Sequence, residues 1–135
     1  MNNTELEKII SDTQSNPYIK WNNSSLADWC RVDGEFSVYL FNRDGNHGYF
    51  SLLHNLTSKV DGIIVELGNR EGLGILSIYD ALQPDSKFYT LDIVNDNRFI
   101  KNEIKNDPRV NILNDFNSLD VCLLYTSDAA DESSS

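Results

Sequence analysis

The chain has 135 residues, a formal net charge of −10 and two cysteines. Its length suits a single domain, and its acidic balance excludes the basic surface that is typical of nucleic-acid-binding proteins. The N-terminal residues lack the features of a signal peptide, no apolar run is long enough to span a membrane, and the cysteines are too few for a disulfide framework, so we expect a cytoplasmic protein.

The first 46 residues are predicted to form an N-terminal helical or cap segment. Residues 1–16 are polar and helix-forming, and Thr4 with Glu7 matches a capping box. The run EFSVYLF, Glu35–Phe41, alternates as a short strand does, and NRDGNHG after it is typical of a loop. In YFSLLHNLTSKV, Tyr49–Val60, apolar residues recur at helical spacing and predict an amphipathic helix.

Strands and helices are predicted to alternate from there on. Three short apolar runs indicate strands at Ile63–Leu67, Phe88–Ile93 and Val110–Leu113, and the β-branched first run is typical of a parallel strand buried on both faces. Helices are predicted over Gly74–Leu82 and within residues 95–107. This alternation predicts the α/β class with a Rossmann-like, doubly wound parallel sheet, in which we expect the Ile63–Leu67 strand to lie between the other two.

The loop after the first strand distinguishes two kinds of nucleotide site. A dinucleotide fingerprint has the form G-x-G-x-x-G and holds a pyrophosphate at a helix N-terminus. This loop instead places Gly68, Gly72 and Gly74 directly after Glu66. A carboxylate at that point favours a cationic ligand group over a pyrophosphate.

Acidic residues follow the other two predicted strands. Asp92 is placed where a carboxylate can accept hydrogen bonds from both hydroxyls of a ribose. Asp115 follows the third strand and can accept a hydrogen bond from an adenine amino group. Each acid also has a simpler interpretation, because Glu66 can cap the next helix or pair with Arg70, Asp92 can be a solvated strand end, and Asp115 can be a turn residue.

Residues 47–120 resemble the first half of a class I S-adenosylmethionine-dependent methyltransferase. The similarity is carried by a helix before a strand that ends in ELG, then a glycine-bearing loop, then a strand that ends in an acid, and it is greatest for small-molecule O-methyltransferases of the catechol O-methyltransferase type. One departure is that the glycines are spaced more loosely than in the common E-x-G-x-G-x-G motif. The resemblance implies cofactor contacts from Glu66, Gly68, Asn69 and Gly72 at the methionine part, Asp92 and Ile93 at the ribose, and Asp115 and Phe116 at the adenine.

The resemblance implies methyl transfer from S-adenosylmethionine to a small-molecule acceptor, with an oxygen favoured. It identifies no catalytic residue, and the sequence has no recognisable metal-ligand cluster. Two alternatives stay open, a nicotinamide-dependent oxidoreductase on the same sheet topology and a non-catalytic α/β binding module. The sequence indicates neither the acceptor nor the oligomeric state.

The last residues differ in character from the rest of the chain. Asparagine is frequent up to Asn117 and absent after it, and CLLYTSDAADE, Cys122–Glu132, resembles the translation of a transposase-type sequencing adapter. We therefore expect residues 122–135 to be adapter-derived and residues 47–121 to form part of an S-adenosylmethionine-binding domain. On this interpretation the natural gene continues beyond the third strand and the present chain is inactive.

Overall fold

The computed structural model of the chain describes residues 1–23, 26, 46–69, 72–93 and 100–114, with the backbone alone for residues 46, 47 and 73. The chain order of its elements is helix, helix, strand, helix, strand, short helix, strand. These are α1 (Asn3–Ser15), α2 (Asn46–Thr57), β1 (Ile63–Leu67), α3 (Leu73–Ala81), β2 (Lys87–Asp92), α4 (Asn102–Lys105) and β3 (Val110–Asn114). The strand predicted at Glu35–Phe41 lies outside the described residues.

The three strands form one parallel, open sheet, which confirms the predicted Rossmann-like α/β class. The order of the strands is β1-β2-β3, so β2 is central and β1 lies at an edge of the described sheet. The prediction that Ile63–Leu67 lies between the other two strands was therefore wrong. In the order 3-2-1-4-5-6 of doubly wound sheets, the first strand receives its second neighbour from a strand later than the third, and the described residues hold only three strands.

The helices begin and end close to their predicted positions. Helix α1 begins after Asn2, whose side chain accepts a hydrogen bond from the backbone N–H of Glu5, so Asn2 caps this helix instead of the predicted Thr4. Asparagine is among the residues favoured at the N-cap. Helix α2 begins within the predicted NRDGNHG loop, and α4 is a single turn within residues 95–107, where a helix was predicted.

The main cluster of buried apolar side chains lies on one face of the sheet, and Leu91 of β2 is buried on the other. Alternate strand residues point to the face of the main cluster, namely Ile64 from β1, Phe88 and Thr90 from β2, and Val110 from β3. Helix α3 packs on them with Ile75, Leu76 and Ile78, and α4 adds Ile104. The opposite face carries the other alternate residues of β1, and their side chains Ile63, Val65 and Leu67 are 60%, 52% and 54% exposed.

The N-terminal part of the chain packs on the helices of this core. Helix α1 meets α2, where Asn55 donates a hydrogen bond to the hydroxyl of Thr13 over 2.8 Å. The segment after α1 is held at Pro17, whose carbonyl oxygen accepts a hydrogen bond from Ser51 on α2. Leu26 is fully buried in the core. Among the described residues, no helix is both long and apolar enough to cross a lipid bilayer.

Candidate functional site

The carboxyl edge of the sheet collects polar side chains on the helix-covered face. Glu66 is aligned with Thr90 in the neighbouring strand, and Asp92 is aligned with Asn114 in the next. Parallel pairing brings the strand ends together, and right-handed crossovers keep the connecting helices on one side, so these side chains share one small region. This edge is where doubly wound sheets bind their ligands.

Glu66 is the central residue of the site. Thr90, which is fully buried, donates a hydrogen bond from its hydroxyl to Oε1 of Glu66 over 2.7 Å. The other carboxyl oxygen, Oε2, lies against the first turn of α3, where a Cβ at Gly74 would overlap it. A larger residue at this position would therefore require the Glu66 carboxyl group to move away from the first turn of α3.

The environment of Glu66 changes its ionisation. Burial raises the pKa of its carboxyl group from 4.5 to about 7, because a charge is costly away from water. The Thr90 hydrogen bond acts in the opposite direction, and the negative charge of Asp92 raises the pKa further. A buried carboxyl group with a strongly raised pKa, placed beside a groove at a strand end, marks a candidate functional site.

The loop after β1 has the backbone geometry that its glycines were expected to provide. Gly68 and Gly72 have positive φ values of 87° and 99°, which side chains rarely allow. The N–H of Gly68 donates to the carbonyl oxygen of Leu91 in β2 over 2.7 Å, so the loop turns across the end of that strand. A Cβ at Gly72 would also meet the side chain of Ile100 at 2.9 Å.

Asn69 closes the site on the β3 side and has an unused acceptor. Its Nδ2 donates to Oδ1 of Asn114 over 3.2 Å, while its own Oδ1 is buried and accepts no hydrogen bond. The residue is 4% exposed. A buried acceptor without a donor costs about 1–3 kcal/mol, so this oxygen is suited to a donor supplied by a ligand.

The predicted site residues are partly brought together. Glu66, Gly68, Asn69 and Asp92 lie at one edge, with Asp92 half-buried at the end of β2, and the charge of Asp92 acts on Glu66. Ile93 follows Asp92 and is 66% exposed. Asp115 and Phe116 lie outside the described residues, as does Arg70, which was considered as an ion-pair partner of Glu66.

A groove of about 270 Å³ runs beside Glu66, between α2 and the edge of β1. Its lining is mostly apolar, with Leu53 and Leu56 from α2 and Ile64 from β1 among the side chains. Glu66 is the one acidic group in this lining. A charged ligand group that enters from the groove therefore meets a single carboxyl group in apolar surroundings.

Two residues of the site were missed by sequence reasoning. Thr90 is a polar residue within an apolar strand run, on the same face as Phe88, and this interruption was the available signal. Strand β3 was predicted to end at Leu113, and Asp115 was chosen as the polar residue after it. In the structure the strand continues to Asn114, which is the residue that bonds to Asn69. No sequence pattern pairs Asn69 with Asn114, because the two are 45 positions apart.

Two other charged clusters are structural. On the far side of α3, Asp80 accepts hydrogen bonds from His54 over 2.7 Å and from the backbone N–H groups of Asn22 and Asn23. Burial opposes ionisation of Asp80, but these hydrogen bonds outweigh it and lower its pKa. This cluster attaches the N-terminal segment to α2 and α3.

The second cluster lies at the amino edge of the sheet, opposite the candidate site. Arg109 binds the carboxylate of Asp107 and lowers the pKa of that group to about 2. The same guanidinium donates to the carbonyl oxygens of Leu82 and Gln83 just after α3. Within the described ranges, no group of three or more His, Cys, Asp or Glu side chains is placed to hold a metal ion.

Comparison of the chain with protein-family models, with curated protein sequences and with solved structures finds no match. The functional interpretation therefore depends on the fold and on the geometry of this edge.

Proposed function

We propose that the domain binds S-adenosylmethionine at the carboxyl edge of the sheet and serves a methyltransferase that acts on a small-molecule acceptor, with an oxygen as the favoured target. The observation that carries the proposal is the placement of Glu66, a buried carboxyl group at the end of β1 beside the first turn of α3. Together with Asp92 it makes this edge attractive to cations. The cofactor has an ammonium group and a sulfonium group, which are both positive.

The remaining polar groups suit the rest of that cofactor. Asp92 ends β2, where a carboxylate can accept hydrogen bonds from the ribose hydroxyls. The free Oδ1 of Asn69 can accept from a ligand N–H or O–H donor. When bound, the sulfonium supplies an activated methyl group, so the task of these residues is to hold the cofactor in line with an acceptor. The proposal assigns no catalytic base.

A nicotinamide dinucleotide suits the same edge less well. Its pyrophosphate needs the N-terminus of the helix after β1, and the carboxyl group of Glu66 lies at that point. Above neutral pH, this carboxyl group is ionised and repels a diphosphate.

Titration calorimetry with S-adenosylhomocysteine and with NAD tests the proposal. We expect binding of the former and none of the latter. Asp92→Ala should weaken the binding of S-adenosylhomocysteine by about 1–3 kcal/mol, because ribose hydroxyls lose their acceptor. Asp92→Glu should weaken it less, since a carboxylate remains within reach.

Asp85→Ala is the matched control, because this exposed acid lies just before β2, at the opposite end of the strand. It should bind S-adenosylhomocysteine as the parent chain does. If Asp92→Ala binds with unchanged affinity, the ribose assignment is wrong. If NAD binds and S-adenosylhomocysteine does not, the methyltransferase proposal is wrong.

A further inference from the structure

The carboxyl group of Glu66 is held by a hydrogen bond from Thr90. Its Oε1 accepts the hydroxyl of Thr90, and no described residue donates a hydrogen bond to its Oε2. Oε2 lies against Gly74, and Glu66 is one of the residues that line the groove. The hydrogen bond from Thr90 therefore orients the carboxyl group, and within the described part of the chain its Oε2 has no protein donor.

The described charges around Glu66 do not neutralise it. From β2 the nearby ionisable group is Asp92, which is also acidic. Helix α2 contributes Tyr49 to the lining of the groove. The first turn of α3 contributes Gly74, which has no side chain. The one acid of α3, Asp80, is at its other end and is bound to His54. No described cation compensates a negative charge on Glu66, so the site favours the neutral acid until a cationic ligand arrives.

We propose that Glu66 loses a proton when the ammonium group of the cofactor binds, and that Thr90 is the positioning residue that holds the carboxylate for this exchange. The inference rests on the proposed function and adds to it a dependence of affinity on pH. In the binding step the O–H bond of the Glu66 carboxyl group breaks, the proton leaves to the solvent, and the carboxylate pairs with the ligand cation. No electron transfer and no further reactant is involved.

The affinity for an ammonium-bearing nucleoside should therefore rise with pH through neutrality. Because the carboxyl group ionises near pH 7 in the free protein, the affinity for S-adenosylhomocysteine should increase on the order of twentyfold from pH 5.5 to pH 7.5. Calorimetry in buffers of different ionisation enthalpy should show proton release at pH 6. Methylthioadenosine, which has the same nucleoside without the amino-acid group, should bind with an affinity that does not follow pH in this way.

Variants at the two residues separate positioning from a structural role. Glu66→Gln should bind S-adenosylhomocysteine with no rise in affinity over this pH range. Thr90→Val removes the hydroxyl and keeps the shape of the side chain. The midpoint of the increase in affinity should therefore move to a pH about one unit higher, and the affinity at pH 8 should approach that of the parent chain. Thr90→Ser keeps the hydroxyl and should keep the midpoint. A purely structural role of Thr90 predicts instead an equal loss of affinity at every pH.

The outcomes distinguish this inference from the function on which it rests. If both nucleosides bind and neither affinity depends on pH, the proposed proton loss from Glu66 is contradicted, whereas the proposed cofactor site is retained. If methylthioadenosine shows the same pH dependence as S-adenosylhomocysteine, the ammonium group is not the partner and the inference is also wrong. If neither nucleoside binds at any pH, the proposed function itself fails.

Discussion

At the end of β1, the carboxyl group of Glu66 is removed from water and accepts a hydrogen bond from Thr90. In the unfolded chain this group ionises near its ordinary pKa of 4.5, whereas in the folded protein the pKa is about 7. The folded state therefore binds more protons between these two values, and stability falls as the pH rises from 4.5 to about 7. Above that range the full cost, about 3 kcal/mol, is present.

Glu66→Gln should remove this dependence on pH. The amide keeps an acceptor for Thr90 and carries no charge, so its stabilising effect over the parent chain should grow by roughly 2 kcal/mol between pH 5 and pH 8. Urea denaturation at the two pH values measures the difference. Glu7→Gln, on the exposed surface of α1, is the control for the loss of one negative charge. An effect of Glu66→Gln that is the same at both pH values would show that the carboxyl group is not buried in a neutral form.

At this residue scale the sequence predicted part of the site. Glu66 and Asp92 could be found because acids that end predicted strands must meet at one sheet edge. The polar interruption at Thr90 was visible in the sequence, but the hydrogen-bond partners of Thr90 and Asn114 could not be predicted, since they depend on contacts between strands whose register is set by packing. A raised pKa likewise depends on burial, which the local sequence does not determine.

At the scale of elements, the first turn of α3 packs closely against the end of β1, where Gly74 has no side chain and the carboxyl group of Glu66 lies beside it. Gly74→Ala should destabilise the chain by about 1–3 kcal/mol, because the added Cβ overlaps Oε2 of Glu66. In a Glu66→Ala background the same change should be neutral or stabilising by up to about 1 kcal/mol, because alanine favours a helix. Chemical denaturation of the four proteins gives the coupling energy directly.

Gly48→Ala in α2 is the matched control for helix propensity. A Cβ at Gly48 would meet Pro17 at 3.9 Å, an ordinary contact, so this change should not destabilise the chain. Equal effects of Gly74→Ala with and without the Glu66 side chain would contradict the close approach of α3 to β1.

The elements themselves were largely predictable, whereas their order in the sheet was not. Periodicity places α3 and the three strands within about two residues of their predicted bounds, because buried runs of these lengths have few alternatives. The central position of β2 depends on which strands are present on each side, and a pattern within a single strand does not contain that information. The predicted position of β1 was wrong for this reason.

For the molecule as a whole, the exposed face of β1 is expected to limit solubility. Ile63, Val65 and Leu67 form an apolar row, and no described strand pairs with the outer edge of β1. Val65→Lys should leave the free energy of unfolding within about 1 kcal/mol of the parent value and should reduce aggregation, which light scattering at rising protein concentration measures.

Ile64→Lys is the opposite case at the neighbouring position. Ile64 points to the other face and packs against the core, so a charge there should cost about 2–4 kcal/mol. If Val65→Lys destabilises the chain as much as Ile64→Lys does, the β1 face is covered in solution and the expected aggregation has another origin.

The attachment of the N-terminal segment to Asp80 also affects how the chain is made. Asp80 follows Asn22 and Asn23 by 58 and 57 positions, and synthesis at about 5–20 residues per second separates them by roughly 3–12 s. During that interval Ile19 and Trp21 have been synthesised, while α3, on which their segment is anchored, has not yet been made. His54 also emerges before its partner Asp80. The N-terminal segment can therefore reach its final place only after α3 has been synthesised, when β1 is the one described strand already made, and its apolar side chains lack their partners until then.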